Sequence, residues 1–498
     1  MQMPFRNRIL QCLRLGMQEV KNTEVTQEIR LNEGLPDIGR VLLTWGQCLL
    51  RSKQWQADTV EVSGGIKTWT LYMPEDGTEP RVVESWLPFQ QRWDVESHDR
   101  TGPVLVLPLL RYADGRSISA RKIMLRAGIG ILCQAYLPME TEVFDPVELP
   151  EDIALLRRNY PLRLPVESGE KVFTMDEEEN LALPGTGWKI LSSVMNPEIT
   201  DKRVMNDKVV FKGNGNLRLL CRSQDGSIQE TFLEMPFSQI AELDAAHGAQ
   251  AQADIHVVLT DLELDLQETG QLRIKCGLVA QYLIDEEQML EVVEDAYSPC
   301  RQVRPEIREL DIPAVLEDKT EMIPVEQNLP GQSGQVIVTS FLPDHPKLRH
   351  GAGEIHMELS GQLQTLFYGS EGQLQAGVAR WESDQGIPAD SGCAVHAVVQ
   401  PSGQVQSRAE DDHIEMSPQL QLQMRTMSCS TIPMIAGLEF GEMVEPDGNR
   451  PSLILRRCAD ATLWDLAKGY GSTVEAIRSA NHLAGEPEAD QLLLIPVS

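Results

Sequence analysis

The chain has 498 residues, 42% of them hydrophobic and 24% charged. That is the balance of a folded protein, and at about 100–200 residues per domain it is too long for one core. Its formal charge of −30, from 74 acidic against 44 basic residues, repels phosphate backbones and anionic lipid. This argues against nucleic acid or a membrane surface as a partner, whereas a basic protein or a neutral glycan fits.

In the N-terminal segment, 1–24, Arg6, Arg8 and Arg14 alternate with short apolar pairs. There is no continuous apolar core of a secretory signal, and nowhere a run long enough for a transmembrane helix. The nine cysteines, at positions 12, 48, 133, 221, 276, 300, 393, 429 and 458, are odd in number, scattered and without a CxxC pair. Such usage points to a reducing compartment in which cysteine serves as a small apolar residue, and hence to a cytoplasm. The 37 glycines and 30 prolines favour many short strands and turns over long helices, with short helices expected only near Pro36–Leu50.

An internal repeat then runs through most of the chain. Asp58-Thr-Val60-Glu-Val62-Ser-Gly64 is echoed by Asp207-Lys-Val209-Val-Phe211-Lys-Gly213 and by Met357-Glu-Leu359-Ser-Gly361, with the glycines 149 and 148 positions apart. A second alternating segment follows each, around Ile123, Leu272 and Ile414. Leu87-Pro88-Phe89 and Met235-Pro236-Phe237 mark the first two units, while the third has Trp381-Glu382-Ser383 in that neighbourhood. The period of two puts Val60 and Val62 on one strand face and Glu61 on the other. A glycine inside a strand implies a bulge or a close backbone approach. Glu75-Asp76-Gly77, Gln224-Asp225-Gly226 and Ser402-Gly403 supply hairpin turns.

The fold class expected is therefore mainly β: three antiparallel β-sandwich-like repeats over 25–150, 151–300 and 301–447. Linkers are expected at the acidic run Asp176–Glu179 and at Pro305–Gln332. Trp45, Trp55, Trp69 and Trp86, clustered in the first unit, suit core positions at strand spacing, with an exposed partner-binding patch as the alternative.

From 451 to 498 the texture changes. Leu453-Ile454-Leu455 forms a short strand, and Thr462-Leu463-Trp464-Asp465 opens a helix with the pattern of a capping box. Leu463, Leu466 and Ala467 make its apolar stripe and Gly471 ends it. A second helix, capped by Thr473, reaches Asn481, and Leu492–Pro496 closes as a strand. This small α+β (βααβ) unit would hold Trp464 in or beside its core.

On Thr462–Ala467, Tyr470–Ile477, Ala480–Leu483 and Leu493–Pro496, the C-terminal region resembles the LysM family, whose modules bind N-acetylglucosamine polymers such as peptidoglycan. The resemblance implies ligand contacts in two loops, at Asp460, Ala461 and Thr462 and at Asn481, His482 and Leu483. Asp460-Ala461 stands where the family usually has Gly-Asp, which changes the backbone conformations that loop can reach cheaply and opens the alternative of a module reused for protein contact.

Leu35-Pro36-Asp37-Ile38, the Asp-x-Val-x-Val-x-Gly strand and Ser119-Ala-Arg121-Lys122-Ile123 resemble, in turn, the SPOCS domain of spore-coat proteins. Several such units before one LysM is the arrangement of SipL-type coat morphogenetic proteins, distantly like SpoVID. The resemblance implies a mother-cell protein at the forespore surface, a non-enzymatic scaffold tethering coat proteins to a basement protein of the SpoIVA type. The other reading left open is a protein binding peptidoglycan in the cell wall or spore cortex.

No cofactor or metal site is expected, because no HExxH, nucleophile-elbow or phosphate-loop pattern is present. His345 and His350 flank a turn; Asp411-Asp412-His413 fits a solvated turn; Glu177–Glu179 is a charge run; and Gly213-Asn-Gly215 lies in a strand pattern without a following helix.

Overall fold

The alternation that marks the repeats becomes β-strand throughout the body. A computed structural model describes residues 5–96, 100–147, 149–181, 187–267, 270–330, 334–351, 353–388, 392–443, 451–458, 461–488 and 490–497. In the first unit, β1 (Phe5–Arg30), β2 (Ile38–Gln56), β3 (Thr59–Pro74), β4 (Arg81–Asp94), β5 (Val104–Ser119) and β6 (Lys122–Pro146) form two antiparallel sheets, ordered β1-β6-β5 and β2-β3-β4. Val60, Val62 and Leu87 of one sheet face Val106, Ile123 and Ile129 of the other in a single core, as a sandwich requires.

The second unit repeats this order. It comprises β7 (Ala154–Asn180), β8 (Lys189–Met205), β9 (Lys208–Arg222), β10 (Ile228–Glu242), β11 (Gln252–Leu266) and β12 (Gln271–Tyr297), in sheets β11-β12-β7 and β10-β9-β8. In the third unit the first two strands are each broken in two. Its strands are β13 (Arg301–Pro324), β14 (Gln327–Pro330), β15 (Gln335–Pro343), β16 (Lys347–His350), β17 (Glu354–Tyr368), β18 (Leu374–Pro388), β19 (Cys393–Ala409) and β20 (His413–Met443). β20 pairs with β13, β14 and β19, and β17 with β15, β16 and β18. Residues 150 and 300 fall in the short connections between these strand sets.

The repeated glycines share one physical reason. A Cβ on Gly64 would stand 2.6 Å from the Phe89 ring, and one on Gly213 2.5 Å from the Phe237 ring. Each glycine sits directly across from its phenylalanine in the ladder, so the missing side chain lets the ring lie over the strand. In the third unit the residue opposite Gly361 is Trp381, and Phe341 of β15 supplies the covering ring, 2.6 Å from the would-be Cβ. A bulge on the neighbouring strand accompanies the first two glycines, between Leu50 and Ser52 and between Ile199 and Asp201. At Gly361 it widens into the break between β15 and β16.

Several sequence expectations are corrected. The N-terminal segment does not stand apart: β1 pairs along β6 from Phe5 to Arg30. Pro36–Leu50 holds no helix, because from Ile38 the chain joins β3 as β2, where cross-strand pairing outweighs local propensity. The run Asp176–Glu179 is the solvated end of β7, paired with β12, and Asp176 holds Arg273 at 2.9 Å. Of the stretch Pro305–Gln332, the residues from 331 on lie outside the described residues and the rest is mostly β13 and β14; β13 is an edge strand, the place in a sheet that tolerates proline. Ser402-Gly403 closes no hairpin but lies at an irregularity inside β19, with Gly403 at φ 64°. The strands are long, β20 spanning 31 residues, because breakers sit at bulges and edges and do not end them.

The three units close into a ring. Their long outer strands pack together through Leu10 and Cys12, Leu162 and Leu164, and Leu310 and Ile312, one pair from each unit. A second shared core joins Trp45, Trp69, Leu191, Leu220, Val338 and Leu366. Polar groups seal each junction. Gln281 of the second unit both donates to Val106 O (2.8 Å) and accepts from Val106 N (2.9 Å) of the first, completing a ladder rung with a side chain. Arg111 of the first unit binds Asp344 of the third at 2.5 Å, and His345 beside it donates to Leu107 O at 3.0 Å. Buried Arg425 of the third unit reaches Asp285 of the second at 2.6 Å. Trp45 and Trp69, paired across β2 and β3, thus serve the junction between units, while Trp55 is half-buried and Trp86 lies exposed over Gly65.

Candidate functional site

The C-terminal module folds as its pattern dictates. β21 (Leu453–Arg457) pairs antiparallel with β22 (Leu492–Pro496), and between them lie α1 (Leu463–Tyr470) and α2 (Val474–Asn481). The capping box is complete: Thr462 Oγ1 accepts from Asp465 N (3.2 Å) and Asp465 Oδ2 accepts from Thr462 N (3.0 Å). The Thr462 hydroxyl also donates to Asp465 Oδ2 at 2.7 Å, and this bond together with that from Thr462 N holds the Asp465 carboxyl below its ordinary value. Gly471 caps α1 with φ 63°, and Thr473 caps α2. Leu463, Leu466, Ala467, Ile477, Leu493 and Ile495 close a small core.

Of the loop residues expected to contact a ligand, Asp460 lies outside the described residues. Ala461 is half-buried and packs against the module core, and Thr462 is exposed with its hydroxyl engaged in the cap. Asn481 is committed to the fold: its amide donates to Ile477 O and Leu494 O and accepts from Leu494 N, at 2.8, 2.6 and 2.7 Å. His482 is the left-handed cap of α2, φ 53°, with its ring exposed, and Leu483 packs on the core. The two loops are brought together by Glu486, whose carboxylate accepts from Leu463 N at 2.9 Å. Among the described residues, the polar groups these loops leave exposed are backbone, Thr462 and the His482 ring.

Trp464 packs beside the module core, as its position in the sequence suggests, and has a second role there. It is half-buried and turned toward the body, its ring edge-on to Tyr297 of β12 with centroids 4.7 Å apart. Its indole N–H donates to Asp295 Oδ2 at 2.9 Å, and Lys468, one turn further along α1, reaches the same carboxylate at 2.6 Å. The buried Tyr297 hydroxyl donates to Ser472 O at 3.1 Å, and burial pushes it up to about 12. A bulge between Val293 and Asp295 makes this seat. It breaks the alternation so that Val292 and Val293 are both buried while Asp295 and Tyr297 meet the module. Asp295, Tyr297 and Lys468 went unnoticed in the sequence, since a bulge leaves no mark in an alternating pattern.

Comparison with protein families agrees with this division. The family model described as SipL, SPOCS domain, matches residues 188–267, which hold β8 to β11 of the second unit, and the LysM domain model matches residues 460–496. The chain carries a SPOCS domain and a LysM domain. No curated protein and no solved structure matches it. The two families associate the chain with sporulation and with a module of the cell-wall-binding kind, and both are non-catalytic binding domains. The strand order of the SPOCS unit recurs in the units on either side of it.

The residues considered for catalysis are dispersed. His345 is buried between units, and burial lowers it to about 4. His350 is exposed on β16. His413 bonds Asp412 at 2.7 Å in a solvated turn, which raises it. Among the described residues, no group of three or more His, Cys, Asp or Glu side chains is arranged to hold a metal ion, and no helix is long and apolar enough to cross a membrane. Burial pushes the thiols of Cys133 and Cys221 up to about 12, as suits cysteines used for packing.

Proposed function

We propose that this protein is a non-enzymatic scaffold of the spore envelope. In this reading all three units are SPOCS domains, and the LysM module is a docking element that tethers coat proteins to the forespore surface. Its partner is a basement-layer protein of the SpoIVA type, met in the mother-cell cytoplasm. The observation that carries the reading is the seat of the module. A LysM fixed on a ring of three units through Trp464, Lys468 and Tyr297 presents its free surfaces at a set position, as a tether between layers requires.

A second feature supports protein contact. The outer face of the β21–β22 pair exposes Leu453, Leu455 and Leu492, each more than half accessible. An apolar strip of this kind marks an interaction surface. The glycan reading keeps one specific support, the juxtaposition of the exposed Thr462 and His482 loops through Glu486.

The test uses the full chain with both candidate partners. Capture of the basement-layer protein from sporulating lysate, lost on Leu455→Glu and kept on His482→Ala, is expected. Co-sedimentation with insoluble peptidoglycan, lost on His482→Ala, would replace the tether reading by the glycan reading.

A further inference from the structure

The body and the LysM module treat their sheet edges differently. An edge strand offers a row of unpaired N–H and C=O groups to any other strand, unless proline or a bulge interrupts it. In the body such interruptions are common. Pro88 lies in β4, Pro236 in β10, Pro161 and Pro165 in β7, and Pro305 and Pro313 in β13, each strand at the edge of its sheet. The edges β2 and β8 are bulged. The module's sheet has only two strands, and its five-residue β21 carries neither proline nor bulge.

Which groups β21 leaves free follows from its register. Leu455 stands opposite Leu494, whose N–H and C=O are both taken by the Asn481 amide on the far side, at 2.7 and 2.6 Å. That pair therefore exchanges no ladder bond, and by the alternation of an antiparallel ladder neither do Leu453–Pro496 and Arg457–Leu492. The bonds just beyond the strand ends agree: Val497 N donates to Ser452 O and Cys458 N to Gln491 O, at 3.1 and 2.7 Å. Among the described residues, no hydrogen bond reaches the backbone N–H or C=O of Leu453, Leu455 or Arg457. These six groups point out of the sheet along one open edge, whereas Asn481 closes the edge of β22 at Leu494. Leu453 and Leu455 are 51% and 59% exposed, and Arg456 and Arg457 are exposed as well, so the edge is open to solvent.

We propose that β21 pairs with β21 of a second copy of this chain, antiparallel about a two-fold axis at Leu455. The order Leu453-Ile454-Leu455-Arg456-Arg457 selects this occupant. A centre at Leu455 sets Leu453 opposite the second copy's Arg457, so the six free groups of each strand are all matched. It also sets Arg456 opposite Ile454, so no arginine faces an arginine across the ladder. The outer faces then join into one apolar strip over four strands, with Leu455 beside its own counterpart, self-complementary as a two-fold interface must be. The inference goes beyond the proposed function and needs only the geometry of the module.

The test is sedimentation velocity of the full chain over micromolar concentrations at about 0.15 M salt, where charges are screened beyond about 8 Å. A reversible rise from one chain toward two is expected, as for a small, transient interface. Leu455→Pro removes the central N–H, which no bond within the chain uses, and an edge strand tolerates proline. That variant should remain a single chain throughout. Mild oxidation reads the register separately. Leu455→Cys puts two thiols at the axis, on Cα atoms about 5.5 Å apart and within disulfide reach, and should give covalent dimers beyond those of the parent. Leu453→Cys, whose two copies lie about 14 Å apart along the ladder, should not. A parent that stays single at every concentration, dimers that survive Leu455→Pro, or equal cross-linking of the two cysteine variants would each overturn the proposal. If Leu455→Pro loses its fold by circular dichroism, the cysteine pair decides. A single-chain parent that still captures the basement-layer protein removes this inference and leaves the proposed function standing.

Discussion

The three units of the body and the LysM module are joined in different ways. Each body unit gives part of its apolar surface to a common core: Leu10, Leu164 and Ile312 are buried in a cluster to which all three units contribute. Buried ion pairs and ladder-like hydrogen bonds then fix the junctions. The LysM module has a small core that Tyr297 of β12 enters, and it meets the body through one seat centred on Asp295 and Tyr297. The first kind of join makes the units interdependent. The second couples the module to the body through one aromatic side chain, which enters its core, and one carboxylate.

That contrast can be broken experimentally. The largest effect is expected from Asp285→Ala, which leaves Arg425 and Arg163 without their shared buried counter-ion. Removing one partner of such a network costs about 3–5 kcal/mol, a large part of the usual stability of about 5–15 kcal/mol. An unchanged urea midpoint would mean that the ring is not held there.

Ile312→Ala, in the shared core, should cost about 2–5 kcal/mol. Ile312 belongs to the third unit, so a shift of the whole calorimetric transition as one shows that the units melt together. Two separate transitions would show that they do not.

Acid offers a milder probe. Burial lowers His345 from its ordinary 6.5 to about 4, so the unfolded chain binds more protons than the folded one between those values. The contribution of the neutral ring is therefore complete above pH 6.5 and lost as the pH falls toward 4. The melting midpoint should decline across that window, with a shallower slope in His345→Gln.

At the seat, Trp464→Ala should cost about 1–3 kcal/mol, from lost aromatic packing and one hydrogen bond to a carboxylate. Hydrogen exchange should then quicken near Tyr297 and Ser472 while α1 and α2 keep their protection. Loss of protection in α1 would make Trp464 a core residue of the module after all. The smallest effect is expected from Thr462→Ala, about 1 kcal/mol for a lost helix cap, felt within the module and not in the body.

Legibility in the sequence follows how local the determining physics is. The capping box at Thr462, the left-handed Gly471 and the apolar stripe of α1 are set by residues within one or two turns, and all can be read directly. The repeated glycine is also legible as a place of close approach, but its partner is not. Phe89 and Phe237 lie across the ladder, whereas the third unit recruits Phe341 from the other neighbour. Acidic and proline-containing stretches suggest linkers because charge and missing donors disfavour an isolated strand. In the fold they are β7 and β13, supported by a long partner strand or placed at an edge.

The candidate site divides along the same line. The module and its two loops are legible in residue order, while the commitment of the Asn481 amide to β22 and the turning of Trp464 toward Asp295 depend on the tertiary fold. By itself the sequence determined a mainly β body of three related units and a C-terminal βααβ module, because periodicity and capping act over short stretches of chain. Only the tertiary structure decided that the units close into a ring and that a bulge in β12 seats the module. Those features depend on residues more than a hundred positions apart, whose meeting is set by long-range packing.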